Sequence, residues 1–251
     1  MAEGEQKLTL LGHFQELRKR LIRSVIAVAA GAVISFIFYE WIFWILIRPA
    51  QGIDLIFTEL TEMIGTIMRV CLASGLILAI PYLTVQAILF IKPALTQKEE
   101  RYVYIILPWI TVMFLGGVVF GYFILIPPAI GFLYTFGSDI ATPMIKVGNY
   151  IGIITRLLIA IGLVFELPVA TTFLARMGIV TPQWLASKRK ISIIVAFILA
   201  AIITPTFDPI NQSLVAVPLI ILYELSIWLA KAVYRKRGEV VIKPPDGADT
   251  I

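Results

Sequence analysis

Long runs of apolar residues, separated by short charged or proline-marked segments, dominate this chain. Several runs reach the roughly 20 consecutive apolar residues that an α-helix needs to cross a bilayer. Their residues are apolar at consecutive positions and do not alternate with polar ones, which argues against a transmembrane β-barrel. The pattern therefore predicts an all-α integral membrane protein.

Charges and prolines divide the apolar residues into six predicted transmembrane helices. The first covers residues 21–46 and ends before Arg48 and Pro49, and the second covers residues 70–91. The third starts near residue 102 and is expected to break at Pro127 and Pro128, where an external loop follows. The fourth covers residues 150–175, and Thr181 with Pro182 predicts a helix start in the loop after it.

The last two spans are predicted to be short. Residues 191–203 give only about 20 Å of helix, whereas the hydrocarbon layer is about 30 Å thick. A tight turn over residues 204–211 leads to an equally modest sixth span over residues 213–230. Such a hairpin must thin the bilayer locally or keep its tip inside it.

The distribution of lysine and arginine predicts the orientation. Of 21 such residues, 17 lie in residues 1–23, 92–102, 176–190 and 230–251, and three lie on the opposite side: Arg48, Arg69 and Lys146. Because cytoplasmic loops carry the excess of cations, both termini are predicted to be cytoplasmic. The net charge of +5 follows from this topology and from contact with anionic lipid, and it does not indicate nucleic acid binding. Residues 1–235 are expected to form one transmembrane domain, and residues 236–251 a polar cytoplasmic tail.

The chain begins with a predicted amphipathic helix over about residues 8–20. Its leucines and phenylalanine recur every three or four positions, with charges mostly on the other faces. Glu16 is the one carboxylate among these cations. Its spacing allows an ion pair with Arg20, a common surface arrangement that requires no further function.

A second acidic position follows the second span, in residues 90–101. Glu99 and Glu100 stand where cations are expected. An acidic pair there suits a guanidinium ligand, because the planar fork of arginine matches a carboxylate. Solvated charges at the start of the third span, interacting with the helix dipole, explain the same residues equally well, so both interpretations stay open.

Glu166 stands in the middle of the fourth span, within Phe165-Glu166-Leu167-Pro168. An ionised carboxylate at that depth costs about 3 kcal/mol, so it is expected to face a cavity or a polar partner. A neutral, packed carboxyl group that stabilises the bundle is the alternative. Arg156 lies about 15 Å away along the same helix, too far for a direct pair.

The chain offers no residues on which to base an enzyme. It has no phosphate-binding glycine loop, no His-Glu-x-x-His zinc motif and no serine nucleophile elbow. Its single histidine, His13, and single cysteine, Cys71, provide neither a metal site nor an internal disulfide. We therefore predict a non-enzyme without metal or cofactor.

Several of these segments resemble the TatC family, the multi-span receptor subunit of the twin-arginine protein translocase. The similarity runs from Gly-His-Phe-Gln-Glu-Leu-Arg-Lys-Arg-Leu near the start to Leu-Tyr-Glu-Leu-Ser in the last span. Its most specific parts are Pro49 after the first span, Phe90 and Glu99 around Pro93-Ala-Leu, Phe165-Glu166-Leu-Pro168, and Thr204-Pro205 with Asp208 and Gln212.

The resemblance implies a receptor and core subunit that exports folded proteins across the inner membrane, driven by the proton gradient. It implies that Glu16, Glu99 and Phe90, together with Arg18, bind the Arg-Arg pair of a signal peptide at the cytoplasmic face. Glu166, Thr204 and Gln212 are implied to contact single-span TatA/TatB-type partners, and Pro49 and Asp208 to shape the external loops. Further copies of the chain are expected in the complex.

A proton-coupled carrier of small solutes is the alternative function. Glu166 would then be its proton relay, because acids inside the membrane mark such pathways. Carriers usually contain repeated halves with broken helices, and the sequence shows no convincing internal repeat. The receptor is therefore the favoured hypothesis.

Overall fold

A computed structural model describes residues 10–50, 52–91, 97–136, 138, 140–204 and 208–241 of the chain. In these residues it contains ten α-helices and one two-residue strand pair. The chain forms two compact units, residues 1–111 with 139–155 and residues 112–138 with 156–251. Helices α4 (Gln97–Phe120) and α6 (Val147–Val164) contribute residues to both.

The first unit is built on the packing of two long helices, α1 (Leu10–Ile37) and α3 (Glu62–Ile91). A turn at Phe38 separates α1 from α2 (Tyr39–Ile47), which a 3₁₀ turn over Arg48–Ala50 follows. Strand β1 (Leu55–Ile56) pairs in parallel with β2 (Ile145–Lys146), just before α6. This strand pair is a small departure from the predicted all-α fold.

The second unit contains the end of α4, a π-helical turn over Gly121–Leu125, α5 (Ile126–Thr135) and the second half of α6. Helices α7 (Leu167–Met177), α8 (Pro182–Ser187) and α9 (Arg189–Ile203) follow, and α10 (Pro209–Val241) packs against all three. A buried apolar cluster joins α7, α8 and α10, and its members are Ala175, Leu185, Ile227 and Ala230.

Five helical segments are long and apolar enough to cross a membrane in the part of the chain that the structure describes: residues 14–37, 62–87, 105–135, 147–177 and 209–234. They correspond to the first four predicted spans and the sixth. The fifth predicted span, α9, has only 15 residues and is not among them, so its crossing stays a prediction. Its shortness agrees with the sequence.

Several predicted boundaries were wrong. The third span does not break at Pro127 and Pro128, since helix continues to Thr135. Both prolines lie in the first turn of α5, after the π turn, where their missing N–H groups cost little. The sixth span is not short either, because α10 continues for 33 residues, through Lys231 and into the predicted tail as far as Val241.

The helix start predicted at Thr181 and Pro182 is confirmed. Thr181 accepts a hydrogen bond from the backbone N–H of Trp184 at 3.2 Å, and Pro182 is the first helical residue of α8. The predicted start of the second span at residue 70 is eight residues too late, because α3 already begins at Glu62.

Candidate functional site

Glu16 lies on α1, half-buried, and forms the ion pair with Arg20 that its spacing allows. The Arg20 Nε donates to Glu16 Oε1 at 3.0 Å, and its Nη2 contacts the same oxygen. Arg20 Nη1 also donates to Gln86 Oε1 of α3 at 3.4 Å. This chain of contacts holds the first turns of α1 against the last turns of α3.

The second oxygen of Glu16 is still available. Among the described residues nothing donates to Glu16 Oε2, because both contacts from Arg20 go to Oε1. A carboxylate accepts hydrogen bonds at about four lone-pair positions. Glu16 therefore has the capacity to accept from a second guanidinium while Arg20 stays in place.

Three further predicted site residues belong to the first unit. Phe90 is half-buried and lies one helical turn after Gln86, at the end of α3. Arg18 is exposed on α1. Glu99 lies in the first turn of α4, but its side chain, like the hinge residues 92–96, lies outside the described part of the chain.

Glu166 lies at the junction between α6 and α7, inside the fourth candidate span. The backbone N–H of Ala170 donates to its carbonyl at 2.9 Å, so Glu166 starts α7. Pro168 has no N–H to continue the helix from α6, and the two helices separate just before it. Glu166 Oε1 is shielded from solvent and has no hydrogen-bond partner within the described residues.

Tight packing between α4 and the α6–α7 junction fixes the backbone around Glu166. A Cβ atom on Gly117 would lie 2.8 Å from the Phe165 side chain, and one on Gly162 would lie 2.7 Å from the Phe114 ring. The rings of Phe120 and Phe165 also pack at a centroid distance of 5.2 Å. Glu166 is therefore presented from a closely packed and rigid support.

Three predicted residues lie at the facing ends of α9 and α10 along the chain, on either side of residues 205–207. Thr204 is buried at the end of α9 and donates its hydroxyl to the carbonyl of Ala200 at 2.8 Å. Asp208 starts α10, since its Oδ1 accepts from the backbone N–H of Asn211 at 2.7 Å and its carbonyl accepts from the N–H of Gln212 at 3.1 Å. The side chain of Gln212 is half-buried.

The sequence analysis missed Asn211, which is 3% exposed and is more buried than Thr204. Its side-chain amide donates to Asp208 Oδ2 at 3.1 Å. The available signal was an aspartate followed three positions later by asparagine at a helix start, the usual spacing of an N-cap contact. Pro49 lies in the 3₁₀ turn after α2, as its proximity to the end of the first span indicated.

A second polar arrangement was also missed. Glu62 and Arg69, two turns apart on α3, hold the two backbone groups of Gly148 at the start of α6. Glu62 Oε1 accepts a hydrogen bond from the Gly148 N–H at 3.1 Å, and Arg69 Nη1 donates one to the Gly148 carbonyl at 3.1 Å. Glu62 Oε2 also accepts from the N–H of Thr58 at 3.0 Å. We call this arrangement the Gly148 clamp.

Comparison with known proteins agrees with the resemblance seen in the sequence. Residues 12–218 match the family described as "Sec-independent protein translocase protein (TatC)". Relatives of that name from Carboxydothermus hydrogenoformans and Aquifex aeolicus are each 39% identical. The first match covers 92% of this chain and 96% of the relative, and the second covers 93% and 99%.

Solved structures give the same result for the fold. A crystal structure described as the "Twin Arginine Translocase Receptor- TatC" superposes with a TM-score of 0.78 at 39% identity. The match covers 88% of this chain and 99% of that one. A second crystal structure of that receptor, in the detergent DDM, gives a TM-score of 0.80 over 87% of this chain and 99% of the other.

Proposed function

The chain belongs to the TatC family of Sec-independent protein translocase proteins, and from this membership we propose that it is the signal-peptide receptor of its translocase. It is a multi-pass protein of the inner membrane and a subunit of the Tat system. The observation that carries the proposal is the match over 88% of the chain to a solved structure named as the twin-arginine translocase receptor.

The proposed receptor site consists of Glu16, Phe90 and Glu99, with Arg18 beside them. Two carboxylates would accept the two guanidinium groups of an Arg-Arg signal peptide, each through charge-assisted hydrogen bonds. The Oε2 of Glu16, to which no described residue donates, supports this role, because a peptide arginine can pair there without displacing Arg20. A lysine pair lacks the planar fork and would bind more weakly.

The proposed orientation places both termini and this site in the cytoplasm, on the basis of the 17 cations against three. Folded cargo would cross through an assembly of this chain with further copies and with single-span TatA/TatB-type subunits, driven by the proton gradient. Glu166, Thr204 and Gln212 would contact those subunits. Glu166 Oε1, which has no partner among the described residues, supports such a contact, because a shielded carboxyl group gains from a hydrogen-bond donor.

The test is binding of a fluorescently labelled twin-arginine signal peptide to the purified full-length chain in detergent. We expect Glu16→Ala and Glu99→Ala each to weaken binding by about tenfold or more, since each removes a charge-assisted contact. Asp54→Ala is the matched control, because Asp54 is an exposed acid in the segment between α2 and α3. Equal binding of an Arg-Arg and a Lys-Lys peptide would contradict the two-carboxylate site.

A proton-coupled solute carrier is the second candidate. The observation that favours it is Glu166 Oε1, which is shielded within a candidate membrane span and has no hydrogen-bond partner among the described residues. This function needs neither a signal peptide nor partner subunits. Solute uptake driven by a pH gradient into proteoliposomes containing this chain alone, and abolished by Glu166→Gln, would support it. Absence of uptake together with peptide binding favours the receptor.

A further inference from the structure

A polar cavity of about 350 Å³ opens beside the Gly148 clamp. The residues that line it are different from the proposed receptor residues. It lies between the starts of α3 and α6, within the first unit. Its charged lining contains two acids, Glu59 and Glu62, and two cations, Arg69 and Lys146. The volume is at the lower end of the range for sites that hold small organic ligands.

The charge pattern of α3 indicates that the cavity lies at the level of the membrane surface. Residues 70–91 of α3 carry no charge and give about 33 Å of helix, which matches the hydrocarbon thickness of about 30 Å. Arg69 precedes this uncharged stretch directly, so it lies where hydrocarbon meets the headgroups. Cations at that boundary meet the phosphate groups of lipids.

The cations keep donors for a ligand. A guanidinium carries five N–H groups, and the described contact of Arg69 uses one of them, from Nη1 to the Gly148 carbonyl. Lys146 is exposed, and within the described residues its ammonium group donates no hydrogen bond. Both therefore have hydrogen-bond donors to offer to a phosphate.

The two acids differ in their remaining capacity to accept hydrogen bonds. Glu62 already accepts from two backbone N–H groups, of Gly148 and Thr58. Glu59 is exposed, and its carboxylate has no described partner. The four charges sum to zero. A purely anionic headgroup would pair with the cations but would be repelled by the carboxylates, whereas a zwitterionic headgroup can pair with both.

We propose that this cavity binds the headgroup of a zwitterionic phospholipid with a primary amine, of the phosphatidylethanolamine class. Arg69 and Lys146 bind the phosphate, and Glu59 accepts hydrogen bonds from the ammonium group. The Gly148 clamp holds the two helix starts that form the walls. Phospholipid headgroups border both sides of the membrane, so the proposed lipid site does not depend on which leaflet the cavity faces. It is therefore independent of the proposed receptor function.

The test is native mass spectrometry of the full-length chain in detergent, titrated with phosphatidylethanolamine, phosphatidylcholine and phosphatidylglycerol of identical acyl chains. We expect phosphatidylethanolamine to bind tightest. Lys146→Gln should weaken its binding by about tenfold, the effect of losing one charge-assisted contact. Glu59→Gln should remove the preference over phosphatidylcholine, whose quaternary ammonium donates no hydrogen bond.

Arg48→Gln is the matched control, because Arg48 is an exposed cation in the same connecting region, outside the cavity, stacked 5.5 Å over the Trp44 ring. It should leave the affinity unchanged. Lys146 and Glu59 are exposed and outside the clamp, so their variants should fold, which the retained melting temperature verifies. An equal loss in Arg48→Gln, an unchanged affinity in Lys146→Gln, or equal binding of water-soluble glycerophosphoethanolamine would overturn the lipid site.

Discussion

Gly148 is held by two side chains of opposite charge from one helix, and each takes one of its backbone groups. We expect Glu62→Ala to lower the apparent melting temperature by about 2–4 °C, because it leaves the N–H groups of Gly148 and Thr58 without their acceptor. Thermal unfolding in detergent, followed by size-exclusion chromatography, measures this shift. Glu59→Ala is the control. An equally large decrease in melting temperature in that variant would show that the loss of a negative charge in this segment, and not the loss of the clamp, destabilises the protein.

Arg20 already occupies one oxygen of the proposed receptor carboxylate. Arg20→Gln should strengthen binding of an Arg-Arg peptide severalfold at low salt, because it removes a charge that repels the peptide and leaves both oxygens of Glu16 to it. Lys19→Gln is the matched control: it removes an exposed cation from the neighbouring position that has no described contact with Glu16. Weaker binding in Arg20→Gln alone would show instead that Arg20 orients Glu16 for the peptide.

Sequence spacing predicted one of these two polar arrangements. Glu16 and Arg20 are four positions apart on one helix, so helical geometry alone brings them together. Glu62 and Arg69 are 86 and 79 positions away from Gly148. Contacts over such separations depend on how α3 and α6 pack, which no local pattern specifies. The side chain of Glu99 lies outside the described residues, so its predicted role stays a prediction.

Helices α1 and α3 approach each other through two glycines. A Cβ atom on Gly31 would lie 2.6 Å from the carbonyl oxygen of Gly75, and one on Gly75 would overlap the backbone of Ala32. Small residues at such crossings let the backbones come into van der Waals contact, which is a main source of helix association in membranes.

Gly75→Ala is therefore expected to destabilise the first unit by about 1–3 kcal/mol, because the added methyl group must push the two backbones apart. Gly65→Ala is the matched control on the same helix, since no atom lies within 4 Å of its added Cβ. In the control, the better helix propensity of alanine should leave stability unchanged or raise it. Urea or heat unfolding in one detergent compares them, and equal behaviour of the two variants would disprove the close approach.

Proline rules that hold in soluble proteins misplaced the helix boundary at Pro127 and Pro128. Pro81, Pro108 and Pro218 also lie inside helices of this chain. In a membrane, neighbouring helices and local π or 3₁₀ turns compensate for the missing hydrogen bonds, so helix continues past proline. At Pro168 the same residue type does separate two helices, α6 and α7, and this difference depends on packing that the sequence does not display.

For the whole molecule, composition and charge distribution predicted most of the architecture. The apolar runs predicted the five candidate spans of the described residues, and the short run at residues 191–203 predicted the short helix α9. The length of α10 was underestimated, because its polar start is stabilised by Asp208 and its end continues through cations that the apolar pattern excludes. Whether α9 crosses the membrane decides between five and six spans, and thus the location of the C-terminal end.

The crossing of α9 can be tested with cysteine labelling, since the only native cysteine, Cys71, is 3% exposed and can be replaced. At about 22 Å, α9 needs a locally thinned bilayer to cross. Six spans with cytoplasmic termini predict that Thr142→Cys and Ile210→Cys react with a membrane-impermeant maleimide in intact cells. Ser187→Cys and Ala232→Cys should react only after permeabilisation, and all four positions are exposed.

Each pair of variants tests a different step of the topology. Ser187 and Ile210 flank α9, so opposite accessibility means that α9 crosses, whereas equal accessibility means that it enters and leaves on one side. Ile210 and Ala232 lie towards the two ends of the apolar part of α10, a segment long enough to cross by itself. If Ile210→Cys stays unlabelled until permeabilisation and Ala232→Cys is labelled in intact cells, the chain has five spans and its C-terminal end is external, contrary to the excess of cations there.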